Sequence, residues 1–446
     1  MAKRSPSSKR EIVSKIFEAG VVGAGGAGFP THVKAQARAD IVIANGCECE
    51  PLVQSDRHVI ESAGDEVLEG LTLMMLATGA SGGCVAVRES QDDLARILAQ
   101  AAREHAGVRV ATVQDNYPAG DEHLLVYEIT GRVIPQGGIP PDVAVVVSNV
   151  NTLMNVARAL RGSPVTDRVV SVCGDLPNPV IAEVPLGTAV GDVLALTGNN
   201  VDLARKGILL SGVMMGELSE DLARPIDKRI GAVVVLPRDN EVIVRKSLPI
   251  ETIVRRAASV CCQCTFCTEL CPRHLMGHAI TPHKIMRSVG WTRVFTPDIA
   301  GALFCSGCGL CGVFACPMLL SPDRISFMVR SEMAKRGIKV GEERRPAAEM
   351  VRPHRLVPHQ RIVEKTGIMA YDRKLAFAGA IRPKRVAIPL VQHSGAAASA
   401  VVKVGDRVSR GQLVGYAPEA GIGAAVHASL DGVVASINHS IVVETR

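Results

Sequence analysis

The sequence is poor in aromatic residues and has no long apolar run. Aromatic side chains make up 3% of its 446 residues, and there is one tryptophan. Because a membrane-spanning helix needs about 20 consecutive, mostly apolar residues, we expect no transmembrane segment. Lysine and arginine number 50 against 44 acidic residues, a net charge of +6. Without a dense basic stripe interleaved with aromatic side chains, this composition does not predict a nucleic-acid-binding protein.

A secretory signal is lacking as well. The N-terminus reads MAKRSPSSKREIVSKIFEAG, which is basic but has no apolar core, so the pattern is not that of a signal peptide. We therefore expect a cytoplasmic protein, and a reducing compartment disfavours a disulfide framework. The chain nevertheless has 13 cysteines, which points to metal or redox chemistry.

The cysteines are concentrated in two short runs between Cys261 and Cys316. The first run has the spacing C-x2-C-x2-C-x3-C-P and the second C-x2-C-x2-C-x4-C-P. This pattern is typical of bacterial ferredoxins with two 4Fe–4S clusters, in which the fourth cysteine of each run ligates the other cluster. We assign the ligands accordingly: cysteine set one is Cys261, Cys264, Cys267 and Cys316, and cysteine set two is Cys305, Cys308, Cys311 and Cys271.

Two zinc sites are the alternative, but zinc does not call for three cysteines at successive x2 spacings followed by Cys-Pro. The extra residue of the second run is expected to lengthen its last loop. Cys262 is left over, and we interpret it as a small buried residue or a neighbour of the ligands. His274 and His278, four residues apart, could bind a metal; because the cluster ligands are complete without them, we favour supporting or solvated roles.

A glycine-rich loop lies near the N-terminus, in the segment VVGAGGAGFPTHVK. Gly23, Gly25 and Gly28 match G-x-G-x-x-G, but a standard dinucleotide-binding fold needs a strand before this motif. The preceding residues 8–19 instead have a helical apolar pattern. Glycines still let backbone N–H groups approach a phosphate or a flat ring, and Lys34 is near enough to add positive charge.

Strands and helices alternate over residues 20–160, which indicates an α/β domain. An apolar strand at 39–44 runs into NGCECEP, so Asn45, Glu48 and Glu50 follow a strand's carboxyl end, where ligands bind in open α/β sheets. A solvated acidic turn is the alternative. Further strands are predicted at 111–113 and 143–147, and the next helix is expected to be capped by Asn151 or Thr152.

Four segments together resemble the flavin-binding motifs of the NADH-oxidising subunit of respiratory complex I, and more closely those of the C subunit of the Rnf electron-transport complex. They are GAGGAGFPTHVK, NGCECEP, YPAGDE and SNVNTLMNV. The resemblance implies that NADH stacks over FMN near Phe29, with Glu122 close to its polar groups. It places the FMN contacts at Gly23, Gly25, Gly26, Gly28, Lys34, Asn45, Glu48, Glu50, Tyr117, Gly120, Asp121, Asn149 and Thr152.

The expected fold class is a multidomain α/β plus α+β protein. Short strands in the middle of the chain resemble the soluble-ligand-binding β-grasp (SLBB) domain, and those of the tail resemble a biotinyl- or lipoyl-type barrel sandwich without the carrier lysine. The expected domains are a Rossmann-like FMN/NADH-binding domain at 1–165, a β-grasp domain at 166–250, a helical ferredoxin domain with two 4Fe–4S clusters at 251–345, a linker at 346–382 and the barrel sandwich at 383–446.

With the flavin motifs first and the barrel last, the whole chain resembles the cobalamin reductases of propanediol-utilising bacterial microcompartments. This implies an NADH-dependent oxidoreductase that reduces the cobalt of a corrinoid through FMN and two 4Fe–4S clusters. Its partners would be a corrinoid adenosyltransferase or another electron-acceptor protein, and a microcompartment shell protein. The helix at residues 9–19 could serve as an encapsulation signal, although such a helix more often packs on its own domain.

Two other functions stay open. The chain could be an Rnf C-like subunit that reduces ferredoxin or a membrane complex, although the domain order argues against this. It could also be a non-enzymatic electron conduit at a microcompartment shell, in which case NADH would not be its donor.

Overall fold

A computed structural model describes residues 8–291, 296–338, 346–417 and 422–445. The expected domain boundaries at 1, 345 and 446 lie outside these ranges. Among the described residues no helix combines the length and the apolar character needed to cross a membrane. None of the 13 cysteines, all of which lie in the described ranges, forms a disulfide.

The N-terminal domain is built on a four-stranded parallel sheet with the strand order β3-β2-β1-β5. Its helices are α1 (Lys9–Glu18), α2 (Thr31–Gln36), α3 (Ser55–Thr78), α4 (Asp92–Ala101), α5 (Glu122–Thr130) and α6 (Val150–Leu160). Its strands are β1 (Ile41–Asn45), β2 (Gly82–Arg88), β3 (Val108–Val113), β4 (Asn116–Tyr117) and β5 (Val145–Asn149), of which β4 lies outside the sheet.

The sequence-based expectations for this domain are largely confirmed. Strand β1 is buried at its centre, as a parallel strand covered by helices should be. The glycine-rich loop follows helix α1, so the dinucleotide motif has the wrong context, as expected. The predicted cap of α6 was wrong: Asn149 caps it by accepting a hydrogen bond from the Asn151 N–H. The Asn151 side chain is buried and donates to Asp56 instead.

Helices α3 and α6 pack against the same side of the domain and touch closely at one glycine. A Cβ atom on Gly70 would lie 2.0 Å from the carbonyl oxygen of Leu153. Leu71 and Leu153 are both fully buried at this crossing. The two helices can therefore approach this closely only because residue 70 has no side chain.

The middle domain is a mixed sheet with one helix inserted between its second and third strands. Its elements are β6 (Asp167–Gly174), β7 (Val180–Pro185), α7 (Val190–Leu196), β8 (Lys206–Leu210), β9 (Glu217–Ser219), β10 (Ala232–Pro237) and α8 (Glu241–Ser247). The strand order is β7-β6-β10-β8-β9, with β10 parallel to β6 and antiparallel to β8. Short strands were expected in this part of the chain, and the structure contains them.

The cysteine-rich domain consists of short helices. They are α9 (Ile250–Val260), α10 (Phe266–Glu269), α11 (Pro272–Leu275), α12 (Pro282–Trp291), α13 (Pro297–Ala300) and α14 (Pro322–Lys335). Its core includes the fully buried residues Ile253, Ile285 and Ile325. Cys261 directly follows α9 and Cys271 directly precedes α11, so helix ends position the thiols.

The segment expected to be a linker adds strands to two other domains. It contains β11 (Val357–Pro358), α15 (His359–Lys365) and β12 (Ala376–Ala380). Strand β11 pairs with β4 of the N-terminal domain, and β12 pairs with β7 at the edge of the middle sheet. The segment therefore fixes the N-terminal and middle domains relative to each other.

The C-terminal domain is a sandwich of two small sheets, as predicted. Its strands are β13 (Arg385–Pro389), β14 (Ser399–Ala400), β15 (Arg407–Val408), β16 (Leu413–Tyr416), β17 (Val426–His427), β18 (Gly432–Ile437) and β19 (Ser440–Glu444). One sheet has the order β13-β19-β18-β15 and the other β14-β16-β17. Valine and isoleucine side chains fill the space between them.

The C-terminal domain also touches the glycine-rich loop. The Ser394 N–H donates to the Gly28 carbonyl at 3.1 Å, and the Ser394 hydroxyl donates to the Ala27 carbonyl at 2.7 Å. The buried Lys228 ammonium of the middle domain donates to the carbonyls of Gly20 and Ala425 at 2.7 and 2.8 Å. Three domains thus meet around this loop.

We predict that Gly70→Ala lowers the free energy of unfolding by about 1–3 kcal/mol, because the added methyl group would push the two helices apart. Gly64→Ala, in the same helix, is the matched control, since its Cβ would meet only the Leu98 side chain, at 3.9 Å. We expect the control to be unchanged or up to about 1 kcal/mol more stable. Thermal and denaturant unfolding followed by circular dichroism measures both variants, and equal stability of the two would contradict the predicted contact.

Candidate functional site

The candidate flavin site lies at the carboxyl edge of the parallel sheet, between β1 and β5. These two strands are neighbours, and their last residues, Asn45 and Asn149, are register partners. From β1 the chain continues to its neighbour β2, whereas β5 pairs with the other edge of β1. The strand order therefore reverses between β1 and β5. Ligands bind at such points in open α/β sheets. The prediction that Asn45 stands at the ligand-binding edge is consistent with this placement.

The loops at this edge are held by side-chain hydrogen bonds. The Asn45 amide donates to the Gly120 carbonyl at 2.9 Å and accepts from the Cys47 N–H at 3.0 Å. Asn45 thereby ties the YPAGDE segment to the end of β1. The sequence analysis placed Asn45 and Gly120 at the same site, and the structure brings them together.

The glycine-rich loop is anchored on both sides and open at its tip. The Ala24 N–H donates to the Thr152 hydroxyl at 2.9 Å, and the Ala24 carbonyl accepts from Arg168 at 2.8 Å. A Cβ on Gly25 would lie 3.1 Å from the Asn149 amide nitrogen, whereas a Cβ on Gly26 would meet no atom within 4 Å. The exposed backbone at Gly26 therefore leaves room for a phosphate or a flat ring, which is what FMN binding requires.

Lys34 and Glu122 face the same edge. The Lys34 ammonium donates to the Val147 carbonyl at 2.9 Å and lies 4.0 Å from a carboxylate oxygen of Glu122. Phe29 is partly exposed, and its carbonyl accepts from the Gly23 N–H at 2.9 Å. Lys34 and Glu122 thus lie together beside β5, and Phe29 lies at the end of the glycine-rich loop.

A buried pair of carboxylates lies beside the loop. Glu48 accepts from the Ser55 hydroxyl at 2.8 Å, and Asp56 accepts from the amides of Asn149 and Asn151 at 2.6 and 2.7 Å. Burial raises the pKa of Glu48, and the neighbouring Asp56 charge raises it further. The oxygen atoms of Glu48 are thus occupied by protein donors.

Glu50 binds the middle domain. Its carboxylate accepts from the backbone N–H groups of Met214 and Met215 at 2.8 and 2.7 Å. A Cβ on Gly212 would lie 2.3 Å from a Glu50 oxygen, so the turn after β8 needs a glycine at this position. Burial raises the pKa of Glu50, while these two N–H groups oppose that rise. Lys246 supports the same turn by donating to the Met214 carbonyl at 3.0 Å.

Tyr117 and Asp121 bring the N-terminal domain to cysteine set two. The Tyr117 hydroxyl donates to the Cys308 carbonyl at 2.5 Å and lies 3.5 Å from Glu50. The Asp121 carboxylate lies 3.0 Å from the Arg273 guanidinium, two residues after Cys271. The candidate flavin site and the cysteine-rich domain are therefore in direct contact.

The eight predicted cluster ligands surround two cavities. One cavity is lined by all four cysteines of set two, and the other by all four of set one. Among the described residues no three His, Cys, Asp or Glu side chains converge as a single metal ion would require. The sulfur atoms enclose a volume, and this is the arrangement that a cluster of several atoms needs.

Backbone N–H groups point at several of these sulfur atoms. The Leu320 N–H donates to the Cys316 sulfur at 3.4 Å. Burial raises the pKa of the Cys271 thiol to about 12, and N–H groups of His274 and Arg273 oppose this rise. Such donors stabilise a thiolate, the form that binds iron. The donor sets therefore fit two iron–sulfur clusters.

The extra residue of the second run is absorbed by a π-helical turn, Leu310–Ala315. A π-turn holds one residue more than an α-turn, so Cys316 still reaches the cavity of set one. The expected longer loop is therefore replaced by a wider helical turn. The first run has the α-helix α10 in the corresponding place.

Two further expectations in this domain need correction or refinement. Cys262 is exposed, not buried, although it lines the same cavity as set one. His274 and His278 have different partners. The His274 Nδ1 atom lies 3.1 Å from the Ile280 carbonyl oxygen. The His278 ring is buried and packs on the His123 ring, with 5.5 Å between the ring centroids.

Several residues of the site could not be found from the sequence. Arg168 and Arg273 are buried cations whose partners come from other domains, and Lys246 is a partly buried cation that donates to the carbonyls of Met214 and Gly216 in its own domain. The sequence signal nearest to any of them is the position of Arg273 directly after Cys-Pro. Nothing local indicates which carboxylate or carbonyl each one meets.

Known protein families match three parts of this chain. The family described as the Nuo51 FMN-binding domain matches residues 16–158, the 4Fe-4S dicluster domain matches 260–321, and the RnfC barrel sandwich hybrid domain matches 367–446. The predicted cofactors, FMN and two 4Fe–4S clusters, are thus confirmed at the level of domains, as is the C-terminal barrel sandwich.

Curated relatives match the whole chain. Cobalamin reductase PduS of Salmonella typhimurium is 39% identical over 446 residues, 98% of this chain and 97% of the relative. The protein of the same name from Citrobacter freundii is 37% identical over 438 residues, 98% of this chain and 96% of the relative. A more distant relative, the C component of the Na⁺-translocating ferredoxin:NAD⁺ oxidoreductase complex of Acetobacterium woodii, is 32% identical over 270 residues, 59% of this chain and 58% of that protein.

Among solved structures, an NAD⁺-reducing [NiFe]-hydrogenase in its H₂-reduced state has a similar fold. The TM-score is 0.51 at 24% identity, covering 75% of this chain and 64% of the hydrogenase chain. This likeness supports the mixed α/β architecture alone.

We predict that the double variant C271A/C305A keeps about four of the roughly eight iron atoms that two clusters hold, because both cysteines line one cavity. The matched variant C261A/C271A removes one cysteine from each set and should lose both clusters. Iron analysis and electron paramagnetic resonance of anaerobically purified protein measure the outcome. If instead C271A/C305A loses all iron and C261A/C271A keeps half, each run ligates its own cluster.

A second prediction concerns Glu48. Because its pKa is higher in the folded than in the unfolded chain, the folded state binds more protons, and rising pH lowers stability as the group ionises. In the wild type the free energy of unfolding should fall between about pH 5 and about pH 8. We expect Glu48→Gln to reduce this fall by at least about 1 kcal/mol. Denaturant unfolding across that range measures it. The exposed Glu104→Gln serves as control, and identical pH profiles for all three proteins would argue against a buried, protonated Glu48.

Proposed function

The chain belongs to the cobalamin reductase PduS family, and on that basis we propose that it transfers electrons from NADH to the cobalt of a corrinoid. The balanced reaction is NADH + 2 cob(III)alamin → NAD⁺ + H⁺ + 2 cob(II)alamin. The observation that carries the proposal is a match to PduS proteins over 98% of the chain. It is supported by the direct contact between Tyr117 of the candidate flavin site and Cys308 of set two.

The bound FMN would supply hydride acceptance from NADH, and the two clusters would supply one-electron chemistry. The protein's own residues bind and orient. We propose that the open backbone at Gly25 and Gly26, with Lys34, holds the phosphate and ring system of FMN. Phe29 and Glu122, which border the same loop, would receive NADH. Glu48 and Glu50 support the site by fixing loops, since their oxygen atoms are already bound to protein donors.

The two cysteine sets differ in their neighbours. Set two adjoins the N-terminal domain through Tyr117 and Asp121. Set one is bordered by exposed residues, since Cys262 is exposed and Phe266 is 49% exposed. We propose that set two faces the donor side and set one faces the acceptor.

We propose that the middle domain is a β-grasp of the SLBB type. The strand order 2-1-5-3-4, counted within the domain, and the helix after its second strand support this. The turn after β8, which carries Met214 and Met215, contacts both Glu50 and the cysteine-rich domain. The domain would therefore brace the flavin site against set two.

We further propose that a corrinoid adenosyltransferase, or another electron-acceptor protein, receives the product, and that the protein works in or on a bacterial microcompartment with shell-protein contacts. Family membership is what supports this. An Rnf-like role in reducing ferredoxin or a membrane complex is less well supported, because the Rnf-type relative aligns with only 59% of this chain.

The test uses anaerobically purified protein that carries FMN and iron. We expect NADH to bleach the flavin absorbance, and added cob(III)alamin to convert to cob(II)alamin with two cobalt atoms reduced per NADH. The variant C271A/C305A is the control: it should still bleach with NADH but reduce cobalt at least tenfold more slowly. Bleaching without cobalt reduction in the wild type would show that the electrons go to another acceptor. No bleaching would rule out NADH as the donor.

A further inference from the structure

Arg273 is a buried cation between the candidate flavin site and cysteine set two. It lies in α11, two residues after Cys271, and its side chain is 10% exposed. One guanidinium nitrogen lies 3.0 Å from a carboxylate oxygen of Asp121, whose side chain is 9% exposed. Burying a charged pair costs desolvation free energy, and removing one partner leaves an uncompensated buried charge.

Asp121 has other partners besides Arg273. The same carboxylate oxygen caps helix α5 by accepting from the N–H groups of His123 and Leu124 at 2.9 and 3.4 Å. The Arg273 nitrogen next to it has no aligned hydrogen-bond partner in the described structure. Removing either charge of this buried pair would change the electrostatic potential at the groups around it.

Those groups include Cys271 of set two, which directly precedes helix α11 and lies two residues before Arg273. Other charged groups also face this set: Arg330 donates to the Cys305 carbonyl at 3.0 Å, and Asp323 lines the cavity. Arg273 differs from both because its counter-ion belongs to the N-terminal domain.

The histidines beside Arg273 do not share its charge. Burial, followed by repulsion from Arg273, lowers the pKa of His278 to about 4. The same two causes lower the pKa of His123 to about 3. Both rings are neutral near pH 7, so Arg273 is the cation that faces Cys271 from this side.

We propose that Arg273 holds the reduction potential of the cluster bound by set two at a more positive value, and that its pairing with Asp121 makes this potential depend on the flavin site. The proposal rests on the proposed function, which assigns set two a cluster. Such a cluster takes up one electron without making or breaking a bond to the chain, and a nearby positive charge stabilises the added electron. Arg273 is thus a tuning residue that acts through its electric field at the cluster bound by set two.

The test is a redox titration followed by electron paramagnetic resonance on the full chain with both clusters. The midpoint that is missing from C271A/C305A is assigned to set two. We expect Arg273→Gln to shift that midpoint to a more negative value and Arg273→Lys, which keeps the charge, to restore most of it. Arg256→Gln is the matched control, since Arg256 donates to the Met318 carbonyl near set one; it should leave the set-two midpoint unchanged.

Asp121→Asn supplies a second, independent variant. It removes the counter-charge and leaves Arg273 in place, so the same midpoint should shift to a more positive value. Opposite shifts in the two variants cannot come from a general loosening of the site. An unchanged midpoint in Arg273→Gln with full iron content, or shifts of the same sign in both variants, would overturn the proposal. If the wild type lacked two cluster signals, the proposed function itself would fail.

Discussion

One buried carboxylate, Glu50, holds the arrangement on which electron transfer depends. It receives two backbone hydrogen bonds from the middle domain and lies 3.5 Å from the Tyr117 hydroxyl, which in turn binds the Cys308 carbonyl. A buried carboxylate is costly unless its oxygen atoms are well satisfied. Here the partners are the Met214–Met215 turn and Tyr117, which itself binds the Cys308 carbonyl. Separating the three domains would leave the buried Glu50 carboxylate without these partners, which disfavours the separation.

Apolar packing supports the same junction. A single hydrophobic cluster contains Tyr117, Met214, Leu310 and Val357, one from each of four parts of the chain. Interfaces between domains that move are smaller and more polar. Because this one is a shared core, the spacing between the flavin edge and the cysteines is set by packing density, and no hinge is needed to bring them together.

Much of this could be predicted from the sequence where the signal is local. The spacing of the two cysteine runs indicates two 4Fe–4S clusters. The strands that end at Asn45 and Asn149 can be seen in the sequence as short apolar runs. Pairings between distant residues could not be predicted. Nothing near Arg273 indicates Asp121, and the segment 346–382 has no strong pattern because its strands are two and five residues long. The cap at Asn149 was missed since three neighbouring polar residues can each cap a helix.

The contacts of the glycine-rich loop have a consequence for how the protein is made. The loop lies in the first part of the chain to be synthesised, yet Ser394 and the carbonyl of Ala425, which help to hold it, come from the last. A ribosome-bound chain can form the parallel sheet early, but it cannot complete the surroundings of this loop until the C-terminal domain has emerged. The candidate flavin site is therefore fully supported only after residues 383–446 have been synthesised, and a product that lacks these residues would have an incompletely supported loop.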